Sequence, residues 1–154
     1  MKASQLLETI KEGLKDYPIE YLRNKATDDR YKDPLVKKLA EYNSKSYDEI
    51  YSLKITDDFD IKDGVIENLK NDIDYYFDTY AGGDIETREF TKYLSLYLAL
   101  IAKKPLHPFT DNKKDQVYIL DEKYYCKQRI KTIREKQSLC RYCVCQNESY
   151  FGMF

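Results

Sequence analysis

The sequence has no long uninterrupted apolar stretch. A signal peptide contains a continuous apolar stretch. At the N-terminus of this chain, the apolar residues are interrupted by charged ones: Glu8, Lys11, Glu12 and Lys15. The most apolar segment, residues 93–102, is shorter than the roughly 20 residues that a membrane-spanning helix needs. We therefore expect a cytoplasmic protein without a membrane span.

Motifs of nucleotide binding and zinc proteolysis are missing as well. The chain contains no G-x-x-x-x-G-K-[ST], G-x-G-x-x-G or H-E-x-x-H sequence. The acidic stretch DDFDIKDG is similar to a calcium loop, but counted from Asp58 the glycine position holds Asp63 and the twelfth position holds Leu69. We interpret it as the cap of a helix, and we expect a binding or interaction module rather than an enzyme.

Tryptophan is absent, histidine occurs once, and the first 125 residues contain no cysteine. The chain is 42% hydrophobic and 34% charged, which is typical of a globular protein and not of a disordered one. Its charge is uneven, with a balance of −6 in residues 1–102 and +5 in residues 103–154. All four cysteines and the histidine lie in the basic part.

Residues 1–102 show the apolar spacing of α-helices. Apolar residues recur at steps of three and four from Leu6 to Leu14, which predicts a first helix that stops before Pro18. Asp33 followed by Pro34 is typical of a helix start, because an aspartate caps the N-terminus and proline fits the first helical position.

Further helix signals follow along the chain. Ser46 and Glu49 match a capping box and predict a separate short helix that starts at Ser46. A clear helix is predicted after Asp63 and is ended by Gly82-Gly83, and residues 86–102 have the broad apolar stripe of the most buried helix. The fold class predicted is mainly α, a bundle of four to six helices.

The character of the chain changes at residue 103. The stretch KKPLHPF contains two prolines that forbid a continuing helix. VYIL and KYYC, separated by Asp121-Glu122, are rich in β-branched and aromatic residues and predict a short hairpin. The following stretch KQRIKTIREKQSL fits either a short helix or an ordered loop. We expect residues 1–102 to form a helical domain and residues 103–154 a small metal-binding module packed on it.

The cysteines are the candidate functional residues. Cys140 and Cys143 have the two-residue spacer that brings two sulfurs to one metal ion, and Cys126 at the end of the predicted hairpin can supply a third thiolate. His107 and Cys145 are rivals for the fourth ligand position. A structural ion would contribute about 10 kcal/mol of folding free energy to a segment too small to hold its own core. Zinc is the expected ion.

Three short segments also resemble a known family. LALIAKKPLHP, KYYC and SLCRYCV are similar to the C-terminal signature of an uncharacterised family of cytoplasmic archaeal proteins, found largely in methanogens. The resemblance maps onto His107, Pro108, Tyr125, Cys126, Cys140 and Cys143. It implies a site at these positions, but no reaction.

The chain departs from the family pattern at two places. FTDNKKDQ stands where the family has a glycine-containing stretch, and Lys127 stands where the family has proline. Cys145 falls outside the pattern, so the resemblance favours His107 as the fourth ligand.

Other functions remain open from the sequence. Cysteine thiolates also bind iron-sulfur clusters, and a thiol redox protein would use the same residues. His107 could activate a cysteine as a nucleophile, although no third orienting residue can be named. Basic residues near tyrosines could bind nucleic acid through phosphate contacts and base stacking: Lys127, Arg129, Lys131, Arg134, Lys136 and Arg141. A protein partner is a further expectation.

Overall fold

The computed structural model describes residues 1–81, 84–129 and 139–147. Within them are five α-helices and one three-stranded sheet. The helices are α1 (Ala3–Leu14), α2 (Ile19–Thr27), α3 (Pro34–Ser52), α4 (Asp63–Tyr76) and α5 (Ile85–Leu96). The strands are β1 (Val117–Leu120), β2 (Lys123–Cys126) and β3 (Gln146–Asn147). The prediction of a mainly helical fold with four to six helices is confirmed over these residues.

The helix starts depend on aspartate caps at two places. The carboxylate of Asp33 accepts a hydrogen bond from the backbone N–H of Leu35 at 2.9 Å, and Pro34 occupies the first helical position of α3. The carboxylate of Asp84 accepts from the backbone N–H of Thr87 at 2.7 Å at the start of α5. Both caps satisfy N–H groups that have no partner inside the helix.

Two helices change their winding before they end. α4 continues as a π-helical segment, Phe77–Ala81, and α5 continues as a second one, Tyr97–Ala102. The second segment ends at Lys103, whose backbone is left-handed (φ 54°, ψ 50°). A left-handed residue at this position ends the helix. Gly82-Gly83, predicted to end the helix before α5, lies outside the described residues.

The separate helix predicted at Ser46 is wrong. α3 runs without a break from Pro34 to Ser52, and Ser46 is buried inside it. The hydroxyl of Ser46 donates to the carbonyl of Tyr42 at 2.9 Å, so it is satisfied by the preceding turn and does not cap a new helix. α2 was not predicted, because Leu22 is its one buried residue and its apolar pattern is correspondingly weak.

α1 lies in the main core, where it packs against α5. Leu6, Ile10 and Leu14 are fully buried there, and each such side chain contributes about 1.5–3 kcal/mol. Gly13 allows the close approach of the two helices, because a Cβ atom at this position would overlap the ring of Tyr93. No helix within the described ranges combines the length and apolar character needed to cross a membrane.

The predicted hairpin is confirmed. β1 and β2 pair antiparallel, with Val117 opposite Cys126 and Leu120 opposite Lys123. The turn residues Asp121 and Glu122 both have positive φ angles, 51° and 66°. This is the two-residue turn whose twist matches that of the strands, although neither residue is the glycine or asparagine that usually occupies it.

A third strand completes the small sheet. β3 pairs parallel to β2, with Tyr125 aligned to Gln146 and Cys126 aligned to Asn147. Because β3 lies on the far side of β2 from β1, the end of the described chain returns to the hairpin. The parallel pairing joins segments about twenty residues apart, which no local pattern in the sequence predicts.

Candidate functional site

The four cysteines come together from three segments of the chain. Cys126 ends β2, Cys140 begins a 3₁₀ turn (Cys140–Tyr142) that Cys143 follows, and Cys145 immediately precedes β3. The pairing of β3 with β2 places Cys145 beside the strand that carries Cys126. All four are free thiols, and Cys145 is buried. Cys126 interacts electrostatically with Cys140, Cys143 and Cys145.

The Cys140–Cys143 turn is held by its own backbone. The N–H of Cys143 donates to the carbonyl of Cys140 at 3.1 Å, and the N–H of Tyr142 donates to the carbonyl of Leu139 at 3.0 Å. These bonds produce the tight turn that a two-residue spacer between ligands requires.

Asp72 on α4 fixes this turn to the helical bundle. Its carboxylate accepts hydrogen bonds from the guanidinium of Arg141 and from the phenol of Tyr142, the two residues between Cys140 and Cys143. Burial, followed by the hydrogen bond to Asp72, raises the pKa of Tyr142, so the phenol stays protonated and donates. The Asp72 side chain is only 17% exposed, which strengthens both contacts.

A second contact joins the loop after α5 to α3. The phenol of Tyr42 donates to the carbonyl of Pro105 at 2.6 Å. The ring of Tyr42 meets Phe109 edge-on at 5.9 Å between centroids, and Phe109 meets Tyr124 of β2 at 4.9 Å. This chain of rings holds the small sheet against α3.

Backbone N–H groups point at two of the sulfurs. The sulfur of Cys126 accepts from the N–H groups of Gln128 and Arg129, and the sulfur of Cys143 accepts from those of Cys145 and Leu106. Such bonds favour the thiolate over the thiol. Burial nevertheless dominates at Cys126 and raises its pKa.

The pKa values of Cys143 and Cys145 are shifted in opposite directions. A hydrogen bond from the Cys145 thiol lowers the pKa of Cys143 to about 6, and the backbone donors and the charge of Arg129 act in the same direction. The same hydrogen bond, together with burial, raises the pKa of Cys145. The shared hydrogen bond therefore favours the thiolate at Cys143 and the thiol at Cys145.

Arg129 lies beside the thiols. Its Nη1 donates to the side-chain carbonyl oxygen of Asn147 at 3.3 Å. Its Nε is buried and has no hydrogen-bond partner. Its positive charge lowers the pKa of Cys143 and opposes the rise at Cys145.

His107 has a different position from the thiols. The contact between its loop and the cysteines is made by the backbone of Leu106. Part of the His107 side chain is exposed, but the surrounding protein displaces enough water from the imidazole to lower its pKa. The ring is therefore mainly neutral at pH 7.

The described residues do not contain a preformed metal centre. Within residues 1–81, 84–129 and 139–147, no three His, Cys, Asp or Glu side chains are arranged to hold an ion. The thiols are neighbours, but they do not converge on one point. Residues 130–138 and 148–154 are outside this statement.

Three of the six basic residues predicted for nucleic-acid contacts interact within the fold. Arg141 pairs with Asp72, and Arg129 donates to Asn147. The ammonium group of Lys127 donates to the carbonyl of Lys114 at 3.0 Å and lies over the ring of Tyr118. Lys131, Arg134 and Lys136 lie outside the described residues.

The sequence did not indicate Asp72, Tyr42 or Asn147 as parts of this site. None of the three belongs to a recognisable sequence motif. Each becomes part of the site through a hydrogen bond to a residue that is distant in the sequence. The pair Arg141-Tyr142 offers one signal, because two hydrogen-bond donors between two candidate ligands suggest an acceptor elsewhere in the fold.

Comparisons with known proteins place the chain in a family. Residues 2–148 match the model of a family described as "Uncharacterized protein conserved in archaea (DUF2115)". The chain is 30% identical over 160 residues to UPF0305 protein MJ0646 of Methanocaldococcus jannaschii, an alignment that covers 96% of this chain and 97% of that protein. No solved structure gives a significant match. The resemblance inferred from the C-terminal motifs is confirmed, and the chain belongs to this archaeal DUF2115 family.

Proposed function

We propose that this protein binds a structural zinc ion through Cys126, Cys140, Cys143 and Cys145, and acts as a binding module without catalytic activity. The observation that carries the proposal is the parallel pairing of β3 with β2, which gathers thiols from three segments. Binding would require these side chains to turn toward a common point. Four thiolates in a tetrahedral arrangement are a common ligand set for structural zinc.

The backbone donors around the sulfurs support a thiolate site. The N–H groups of Gln128 and Arg129 point at Cys126, and those of Leu106 and Cys145 point at Cys143. A metal ligand must be deprotonated, and hydrogen bonds from the surroundings stabilise and orient it. Ordinary buried thiols need no such donors, because the neutral form is already stable in an apolar interior.

The fourth ligand in this proposal is Cys145, with His107 as its rival. Cys145 is buried and hydrogen-bonded to Cys143, and it interacts with Cys126. For His107, the supporting observation is weaker, since its loop reaches the sulfurs through Leu106. The contacts therefore favour Cys145, against the preference that the family resemblance suggested.

The ion would stabilise a segment with a small core. Beyond the main helical core, the buried side chains of the sheet region are few, and Tyr118 and Tyr125 stack on each other at 5.4 Å. A structural zinc ion contributes about 10 kcal/mol in small modules. The contacts of Asp72 and Tyr42 would then hold the ordered segment against α4 and α3.

Elemental analysis of the full chain, purified without oxygen and under reducing conditions, tests the proposal. We expect about one zinc ion per chain in the wild type and in His107→Ala, and loss of zinc in Cys126→Ser, Cys140→Ser and Cys145→Ser. A chelator should lower the melting temperature of the wild type and leave that of Cys140→Ser unchanged. A brown protein with iron and sulfide would instead identify a cluster. A wild type that is metal-free and takes up no added zinc overturns the proposal.

One observation favours a second candidate, a thiol redox protein. Cys143 and Cys145 share a hydrogen bond between their sulfurs, so the two thiols are close neighbours. In this candidate, the pair would be oxidised to a disulfide by exchange with a small disulfide compound, which is reduced to two thiols. Mass spectrometry of the protein as purified, with no chelator added, separates the candidates after that treatment, because a redox protein loses two hydrogens reversibly and a structural zinc protein is protected by its ion.

A further inference from the structure

A cleft of about 490 Å³ lies between α4 and the Cys140–Cys143 turn. Small-molecule sites in proteins have volumes of about 300–1,000 Å³ and are lined mainly by apolar side chains. This cleft has a suitable volume but a different lining, because each described side chain in its wall carries a hydrogen-bonding group: Asn68, Asn71, Asp72, Arg141 and Tyr142. A ligand that fits the cleft should therefore be polar over most of its surface.

Two asparagines of α4 offer amide groups to such a ligand. Asn68 and Asn71 are both exposed and are three residues apart, so their Cβ atoms lie about 5–6 Å from each other on one face of the helix. Within the described ranges, neither side-chain amide makes a hydrogen bond to another part of the protein. Each amide presents one acceptor oxygen beside two N–H donors.

The charges in the cleft compensate each other. Nη2 of Arg141 donates to the carboxylate of Asp72, so the cation and the anion of the wall form an ion pair. A guanidinium has five N–H donors and the Arg141 side chain is 38% exposed, which leaves donors for a ligand. A bound phosphate or carboxylate would lie close to the negative charge of Asp72 and be repelled by it. The cleft therefore favours a neutral ligand over an anion.

The aromatic surface of the cleft is small. Tyr142 supplies the one ring among the described lining residues, and the guanidinium of Arg141 lies over it at 5.3 Å from the ring centroid. Sites for nucleobases bind largely by stacking the base on open aromatic faces. Because one face of this ring is covered, the cleft is better suited to hydrogen bonding than to stacking.

We propose that this cleft is a binding site for a neutral sugar. A sugar hydroxyl both donates and accepts hydrogen bonds, so two neighbouring hydroxyls match the adjacent oxygen and N–H₂ group of one asparagine amide. Asn68 and Asn71 lie close enough together to contact hydroxyls of the same sugar ring. Arg141 supplies further donors from the opposite wall. This inference does not depend on the zinc site, because it uses no cysteine side chain.

Nuclear magnetic resonance of the ¹⁵N-labelled full chain tests the proposal. The probes are four neutral sugars (glucose, galactose, mannose and ribose), with sodium phosphate and adenine as the anion and the nucleobase for comparison. We expect at least one sugar to shift the side-chain N–H₂ signals of Asn68 and Asn71 in a saturable manner. Phosphate and adenine should leave these signals unchanged.

Asn71→Ala is the informative variant. It should weaken binding of that sugar about 10-fold, because the hydrogen bonds of one amide are lost, and the Asn68 signal still reports on binding. Asn24→Ala is the matched control, since Asn24 is an exposed asparagine of α2 outside the cleft, and its affinity should equal that of the wild type. Both variants should fold, because alanine is a better helix former than asparagine.

The remaining outcomes contradict the proposal. If none of the four sugars shifts the Asn68 and Asn71 signals, the sugar site is overturned. Saturable shifts with phosphate or adenine alone would identify an anion or nucleobase site and would overturn the assignment to sugars. Equal weakening in Asn71→Ala and Asn24→Ala would overturn the placement of the site in this cleft.

Discussion

The phenol of Tyr142 donates a hydrogen bond to the carboxylate of Asp72, a residue seventy positions earlier in the chain. Arg141 binds the same carboxylate, so one acidic residue of α4 holds both residues that separate Cys140 from Cys143. This contact ties the geometry of the cysteine turn to the helical bundle. Substitutions on α4 that remove this contact should therefore alter the position of the Cys140 and Cys143 side chains.

Asp72→Asn should lower the free energy of unfolding by about 1–2 kcal/mol, because two charge-assisted hydrogen bonds to a shielded carboxylate are weakened. Urea unfolding measures the change. Asp78→Asn is the control, since its bond to Arg88 involves an aspartate side chain that is 65% exposed, and exposed pairs contribute about 0.2–1 kcal/mol. Equal losses in the two variants would contradict a special role for Asp72.

Gly13→Ala should destabilise the protein by about 1–3 kcal/mol, because a methyl group would overlap the ring of Tyr93 and force α1 and α5 apart. Gly64→Ala should have the opposite sign and stabilise by about 0.5–1 kcal/mol, because α4 has open space at this position and alanine is the better helix former. Thermal unfolding of both variants tests the packing. A stabilising Gly13→Ala would show that the two helices can separate without loss.

Glu122→Gly should stabilise the β1–β2 hairpin by about 0.5–1 kcal/mol. Glu122 has a φ of 66°, a left-handed conformation that glycine adopts without strain, and aspartate followed by glycine is a favoured turn pair. Lys123→Gly serves as the comparison, because glycine within the adjoining strand should weaken it. The melting temperatures should move in opposite directions. A loss in both variants would argue against this turn geometry.

Tyr42→Phe should lower stability by about 1 kcal/mol at neutral pH, since the bond to the carbonyl of Pro105 is lost. Burial raises the pKa of Tyr42 above its usual value of 10.0. The folded protein therefore holds this proton more tightly than the unfolded chain does, and the stabilisation is present below pH 10 and decreases as the pH rises further. Urea unfolding between neutral and alkaline pH should show a smaller alkaline loss in Tyr42→Phe. If the free energy of unfolding falls equally with pH in the wild type and in Tyr42→Phe, groups other than Tyr42 cause the alkaline loss of stability.

Local patterns were sufficient for much of the fold. The apolar spacing from Leu6 to Leu14 marks α1 because one face of a helix must be buried. Asp33-Pro34 marks the start of α3 because aspartate caps a helix and proline fits its first position. The hairpin was predicted from its two strands. In contrast, Ser46 misled the prediction, because a serine inside a helix can bond to the preceding turn as well as cap a new one.

The sequence by itself determined which residues could form a site: it concentrates every thiol after residue 125 and spaces two of them for a tight turn. Only the tertiary structure decided what surrounds them. β3 pairs parallel with β2, and Asp72 accepts hydrogen bonds from Arg141 and Tyr142, so both contacts join segments distant in sequence. The fold also buries the Nε atom of Arg129. Such contacts depend on how the whole chain buries its apolar faces, so no local spacing encodes them.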